Sequence, residues 1–155
     1  MKFNCFCEKG FDLSLKESRL IFQDFDLFCS PQCFLKYVLE IKKQNLPDIY
    51  PAFVTDPFEC WDDVTQHFYR SKYEVYVARF FKKYNILSYY EHHSIKIEGH
   101  FYTPDFWLPE QCLYIECKGR WGMSSKTKTK KAARQITLAL LPSYLQKQFE
   151  KEVKK

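Results

Sequence analysis

Glycine is scarce in this chain, 4 in 155 residues, and no tract is of low complexity. That combination excludes wholesale disorder. No apolar run approaches the roughly 18 residues that a membrane-spanning helix needs. The first residues, Met1, Lys2, Phe3, Asn4 and Cys5, lack the apolar stretch of a signal peptide. A reducing, cytoplasmic setting with no membrane partner is the expectation. There is no internal repeat, and His67, His92, His93 and His100 have no metal-ligand spacing. Seven cysteines, an odd number, argue against a disulfide framework and for metal ligands or buried thiols.

What is present is a large supply of rings, 15 Phe, 11 Tyr and 3 Trp, enough to fill a compact core. The net charge of +5 hides an asymmetry. Residues 1–117 carry 13 basic and 17 acidic side chains, a net of −4, whereas residues 118–155 carry 11 basic and 2 acidic, a net of +9. Cysteines are uneven too. Cys5, Cys7, Cys29 and Cys33 crowd the first 33 residues, while Cys60, Cys112 and Cys117 are scattered.

These asymmetries predict three parts. Residues 1–43 read as a small zinc module. Residues 44–70, broken by Pro47, Pro51 and Pro57, read as an ordered linker, because proline removes backbone donors and disfavours helix upstream. Residues 71–155 read as an α/β domain with a basic C-terminal segment. In it, Tyr73, Val77, Phe80, Phe81 and Tyr84 form one helical stripe over residues 71–84. Strands are predicted over residues 86–98, 101–108 and 112–118, with a turn at Gly99. A basic helix follows over residues 126–141, stopped by Pro142, and a short charged helix over residues 143–155. The apolar run at residues 136–141 could be the end of that basic helix, a stub strand, or an element that a partner chain completes.

The most informative stretch runs from Tyr102, Thr103, Pro104 and Asp105 to Glu116, Cys117, Lys118 and Gly119. A two-residue loop at Glu110 and Gln111 sets Asp105 directly across from Glu116. Directly opposed Cβ atoms lie about 4.5–5.5 Å apart. Two carboxylates at that distance repel, and a hard cation such as Mg²⁺ compensates, because it prefers carboxylate oxygens. Lys118, two residues beyond Glu116, projects from the same face and could orient a water or stabilise developing phosphorane charge. A solvent-facing hairpin edge, with Lys118 merely pairing Glu116, is the plainer alternative. The apolar flanks, Phe106, Trp107 and Leu108 against Leu113, Tyr114 and Ile115, argue against it.

Pro104 and Asp105 followed by Glu116, Cys117 and Lys118 resemble the PD-(D/E)xK nuclease superfamily, and the flanking phrases look most like small phage and bacterial endonucleases, junction-resolving or homing enzymes among them. The resemblance covers residues 70–135. It implies a restriction-endonuclease-like core, and Mg²⁺ (or Mn²⁺) held by Asp105, Glu116 and the backbone carbonyl of Cys117, with Lys118 assisting the nucleophilic water. It also implies a metal-reaching carboxylate on the preceding helix, for which Glu74 is the candidate. Ser71 and Glu74 equally spell a capping box, in which Glu74 only reaches back to the helix start. A phage-encoded chain would act inside a bacterial host cell.

Near the N-terminus, two local cysteine pairs make a reasonable tetrahedral Zn²⁺ set: Cys5, Cys7, Cys29 and Cys33. Ser30 is a good N-cap and Pro31 suits the first helical position, so a helix starts beside the second pair. The pattern resembles the second half of treble-clef or FCS-type zinc fingers. Four reduced, partly buried thiols are the simpler alternative. After the acidic motif, Arg120, Lys126, Lys128, Lys130, Lys131 and Arg134 could neutralise phosphates, and Trp121 could stack on a base or pack internally.

The expectation is a metal-dependent DNA endonuclease with a structural zinc site, acting as a monomer or as a homodimer that cuts both strands. The alternatives are a non-catalytic nucleic-acid-binding protein on a nuclease-like platform and a zinc-finger adaptor.

Overall fold

The computed structural model describes residues 2–13, 25–41, 48–52, 58–119 and 123–155. The chain opens with a hairpin of β1 (Lys2–Asn4) and β2 (Gly10–Asp12), followed by helix α1 (Pro31–Glu40). Strand β3 (Ile49–Pro51) and the hairpin β4 (Cys60–Asp62) and β5 (His67–Tyr69) come next. Helix α2 (Lys72–Lys83) leads into β6 (Tyr89–Tyr90), β7 (His93–Ile97), β8 (His100–Tyr102), β9 (Phe106–Leu108) and β10 (Leu113–Lys118). Helix α3 (Met123–Ala133), strand β11 (Leu138–Pro142), a 3-10 turn (Ser143–Leu145) and helix α4 (Gln146–Val153) finish the chain. The architecture is mixed α/β.

A four-stranded sheet in the order β11-β10-β9-β6 carries the candidate site. Strands β9 and β10 form an antiparallel hairpin, and β11 runs parallel to β10 after crossing over through α3. Side-chain alternation gives β10 two faces. Leu113, Ile115 and Cys117 enter the core that includes α2 and α4, whereas Tyr114 joins the one built from β7, β8, α3 and β11. Strand β11 is buried along its whole length. Its unbroken apolar sequence suits a parallel strand covered on both sides.

Several predicted elements divide. Residues 101–108 break at Thr103, Pro104 and Asp105, so β8 joins a separate sheet of order β3-β7-β8 while β9 joins β10. Proline has no N–H with which to continue a ladder. Residues 86–98 break at Glu91, whose φ of 42° turns the chain between β6 and β7. The basic helix stops at Ala133, and residues 138–142 form the stub strand among the three alternatives. The described parts of the predicted linker include three short strands: β3 pairs with β7, and β4 pairs with β5. Glu98 and Gly99, both at positive φ, make the two-residue turn between β7 and β8.

Helix α1 shares its core with α2 and α4. The Phe34 ring lies 6.2 Å from Phe80, 6.1 Å from Phe81 and 6.1 Å from Phe149. The Tyr144 hydroxyl donates to the Phe28 carbonyl at 2.9 Å. No helix among the described residues is long and apolar enough to cross a membrane.

Glu152 ties α4 to the end of α2. It accepts from the Tyr84 hydroxyl at 2.7 Å and from Lys83 Nζ at 2.9 Å. The Tyr84 hydrogen bond, then Lys83, lowers its pKa to about 2. A depressed carboxylate pKa stabilises the fold above the ordinary value near 4.5 and loses that stabilisation as pH falls toward 2. Glu152→Gln should therefore cost about 1 kcal/mol in urea denaturation at pH 7. The gap between variant and wild type should close as pH is lowered from 5 to about 2.

Candidate functional site

Tight turning at Pro109–Cys112 sets the position of the acidic residues. The Cys112 N–H donates to the Pro109 carbonyl at 3.3 Å, and Cys112 takes φ of 49°. Leu108 then pairs with Leu113, Trp107 with Tyr114 and Phe106 with Ile115. The pairing ends there, one residue short of Asp105 and Glu116. The Asp105 carboxylate reaches past its strand, and its Oδ2 accepts from the Cys117 N–H at 2.6 Å. Glu116 is buried. Its Oε2 accepts from the Tyr102 hydroxyl at 2.7 Å, and its Oε1 pairs with the Lys118 ammonium.

The electrostatics are unbalanced toward negative charge. Burial pushes the Asp105 carboxyl well above the usual range, and the charges of Glu116 and Glu74 push it further; Lys118 and the Cys117 N–H pull it partly back. Burial also raises Glu116, against the opposing pull of Lys118 and Tyr102. Burial alone would lower Lys118, but the attraction of Glu116 and then Asp105 outweighs it and raises its pKa. Three acids near one ammonium leave a deficit that a proton or a cation can fill.

Of its two expected characters, Glu74 takes that of a helix cap. Ser71 caps α2, and its hydroxyl accepts from the Glu74 N–H at 3.3 Å. The Glu74 carboxylate accepts from the Ser71 hydroxyl at 2.8 Å and from the Arg70 N–H at 3.1 Å, and the Tyr90 hydroxyl also donates to it. Both oxygens are thus engaged at the helix start, while the charge is felt at Asp105 and Glu116. Among the described residues, these acids are not drawn together as a group of three that could hold a metal ion.

That compactness belongs to Cys5, Cys7, Cys29 and Cys33, whose Sγ atoms all lie within 4.8 Å of one another. Cys5 Sγ is 2.7 Å from Cys7 Sγ, which is 3.6 Å from Cys29 Sγ. A turn with Glu8 at φ of 64° folds the first pair together. Ser30 caps α1, accepting from the Cys33 N–H at 3.2 Å with Pro31 at the first helical position, and so fixes the second pair. Burial raises Cys29 to about 12 and Cys33 to about 11, whereas a hydrogen bond from Cys5 lowers Cys7 to about 7. Four such thiols can hold a metal ion such as zinc. Zn–S bonds of about 2.3 Å in a tetrahedron put sulfurs about 3.8 Å apart, close to this spacing. Cys60, Cys112 and Cys117 stand outside the group, and all seven cysteines are free of disulfides.

The basic residues fall on or next to α3. Lys128, Lys130 and Arg134 are exposed, Lys126 is half-buried, and Lys131 pairs with Glu98. Arg120 and Trp121 lie outside the described residues. Thr129 and Ala132 are the buried positions that seat the helix. His93 Nδ1 lies 2.9 Å from the Tyr114 hydroxyl.

Sequence reasoning missed three supports: Tyr102, Tyr90, and the Arg70–Glu91 pair. Arg70 Nε meets Glu91 Oε1 at 2.5 Å, and the Glu91 N–H donates to the Asp105 carbonyl at 2.8 Å. Tyr102 is adjacent to the Asp105 motif, but its meeting with Glu116 requires two sheets to pack.

No protein-family model, no curated protein and no solved structure matches the chain.

Elemental analysis of the purified protein should find about one thiolate-bound metal per chain, and none in Cys29→Ser. Because Cys33 adjoins Phe34 in the shared core, that variant should also melt at a lower temperature. A metal-free wild type with an unchanged melt would contradict the assignment.

Proposed function

We propose that this chain is a Mg²⁺- or Mn²⁺-dependent DNA endonuclease of the PD-(D/E)xK type, with a structural zinc site at its four N-terminal cysteines. The observation that carries this reading is the convergence of Asp105, Glu116 and Lys118 on one hairpin, with both carboxyl pKa values raised and one ammonium present. The order helix, hairpin, crossover helix and parallel strand, here α2, β9–β10, α3 and β11, agrees with a restriction-endonuclease-like core.

Asp105, Glu116 and the Cys117 backbone carbonyl would hold the cation, and Glu74 would join them on leaving its cap. A bound divalent cation polarises a phosphoryl oxygen and lowers the pKa of a bound water. Lys118, tethered by Glu116, would orient that water and offset charge on the phosphorane. Tyr102 holds the other Glu116 oxygen and so fixes which oxygen faces Lys118. Arg120, Lys126, Lys128, Lys130, Lys131 and Arg134 would contact flanking phosphates, giving salt-dependent, sequence-independent affinity. Cutting both strands would require two copies of the chain.

The second reading, a non-catalytic DNA-binding protein on the same platform, is favoured by one observation. Glu74 is fully engaged by its cap and by Tyr90.

Supercoiled plasmid separates the two. The wild type should nick or linearise it with Mg²⁺ and leave it intact in EDTA. Glu116→Gln and Lys118→Ala should each lower cleavage by about 10²–10³-fold, the usual scale for removing a charge-stabilising group, with unchanged circular dichroism. DNA binding with no cleavage by the wild type in either Mg²⁺ or Mn²⁺ would favour the second reading.

A further inference from the structure

A cavity of about 430 Å³ is lined by the rings of His67, Tyr69, Tyr89, Tyr90, His92 and Phe106. Its size falls within the range of small-ligand pockets, about 300–1,000 Å³. The rim offers hydrogen-bonding groups from Thr65 and Ser88 and the ammonium of Lys82. Among the described residues that line it, none is Asp or Glu. Tyr89 and His92 stack at 4.8 Å with 26° between their planes, and both are exposed. One of the lining rings leads to a candidate site residue. The hydroxyl of Tyr90 holds Glu74.

We propose that this cavity takes an unpaired nucleobase of the DNA strand being cut. This rests on the nuclease reading and names its substrate class: single-stranded, bulged, flapped or branched DNA. Flat aromatic walls stack on any base without reading its sequence, and a rim lacking carboxylates tolerates the phosphates on either side. A base within an intact duplex is already stacked and would have to be extruded, whereas one already unpaired enters at little cost.

The test is fluorescence anisotropy in EDTA, so that cleavage does not enter the readout. The probes are a labelled duplex, the same duplex with one bulged nucleotide, and the single strand. The wild type should prefer the bulged and single-stranded probes by about tenfold. Tyr89→Ala and His92→Ala, both at the exposed rim, should each reduce that preference about fivefold or more, within the range of base–aromatic stacking. Equal affinity for all three probes, or an undiminished preference in both variants, would overturn the proposal. So would displacement of the strand by free nucleoside monophosphate at equal concentration, which would point to a mononucleotide site. Plasmid cleavage without a preference for unpaired DNA sinks the pocket and spares the nuclease; a preference without cleavage does the reverse.

Discussion

The charge imbalance around Asp105, Glu116 and Lys118 is the constraint on which the functional account depends. Burying like charges together raises both carboxyl pKa values, and a single ammonium does not cancel them. The fold supplies partners to the cluster: the Cys117 N–H for Asp105, and Tyr102 and Lys118 for Glu116. Those partners reduce the repulsion without removing it. A protein gains nothing in stability from such an arrangement, and perturbed carboxylates of this kind concentrate at functional sites.

Rigidity around the cluster comes from both faces of β10. On one, Leu113, Ile115 and Cys117 lock into the aromatic core of α1, α2 and α4. On the other, Tyr114 is enclosed with residues of β7, β8, α3 and β11. The cysteine group contributes at a distance. It fixes the start of α1, whose Phe34 meets Phe80, Phe81 and Phe149. Metal at the thiols would therefore act on the site through packing.

Local patterns in the sequence were faithful guides. The stripe from Tyr73 to Tyr84 marked α2, Ser30 and Pro31 marked the start of α1, and the turn at Glu110 and Gln111 marked the register of β9 against β10. What could not be read locally depended on pairing between distant segments. The apolar run at residues 136–141 has no period and so leaves helix end, stub strand and partner-completed element open; only the neighbouring β10 makes residues 138–142 a strand. Residues 49–51 read as linker because three residues carry little signal without β7 beside them. Thr103 and Pro104 divide a run of strand formers between two sheets for the same reason. Glu74 was legible as a capping residue, and the cap is what its carboxylate makes. Tyr90 and Tyr102 carried no signal, since each meets its carboxylate across a tertiary contact.

Binding of a divalent cation, measured apart from any DNA, tests the central claim most directly. Calorimetric titration of Mn²⁺ into wild type and Asp105→Asn should show saturable binding in the first and its loss in the second, with the cysteine-bound metal unchanged in both. Failure of the wild type to bind Mn²⁺, or equal binding by Asp105→Asn, would contradict the reading of Asp105 and Glu116 as a cation site.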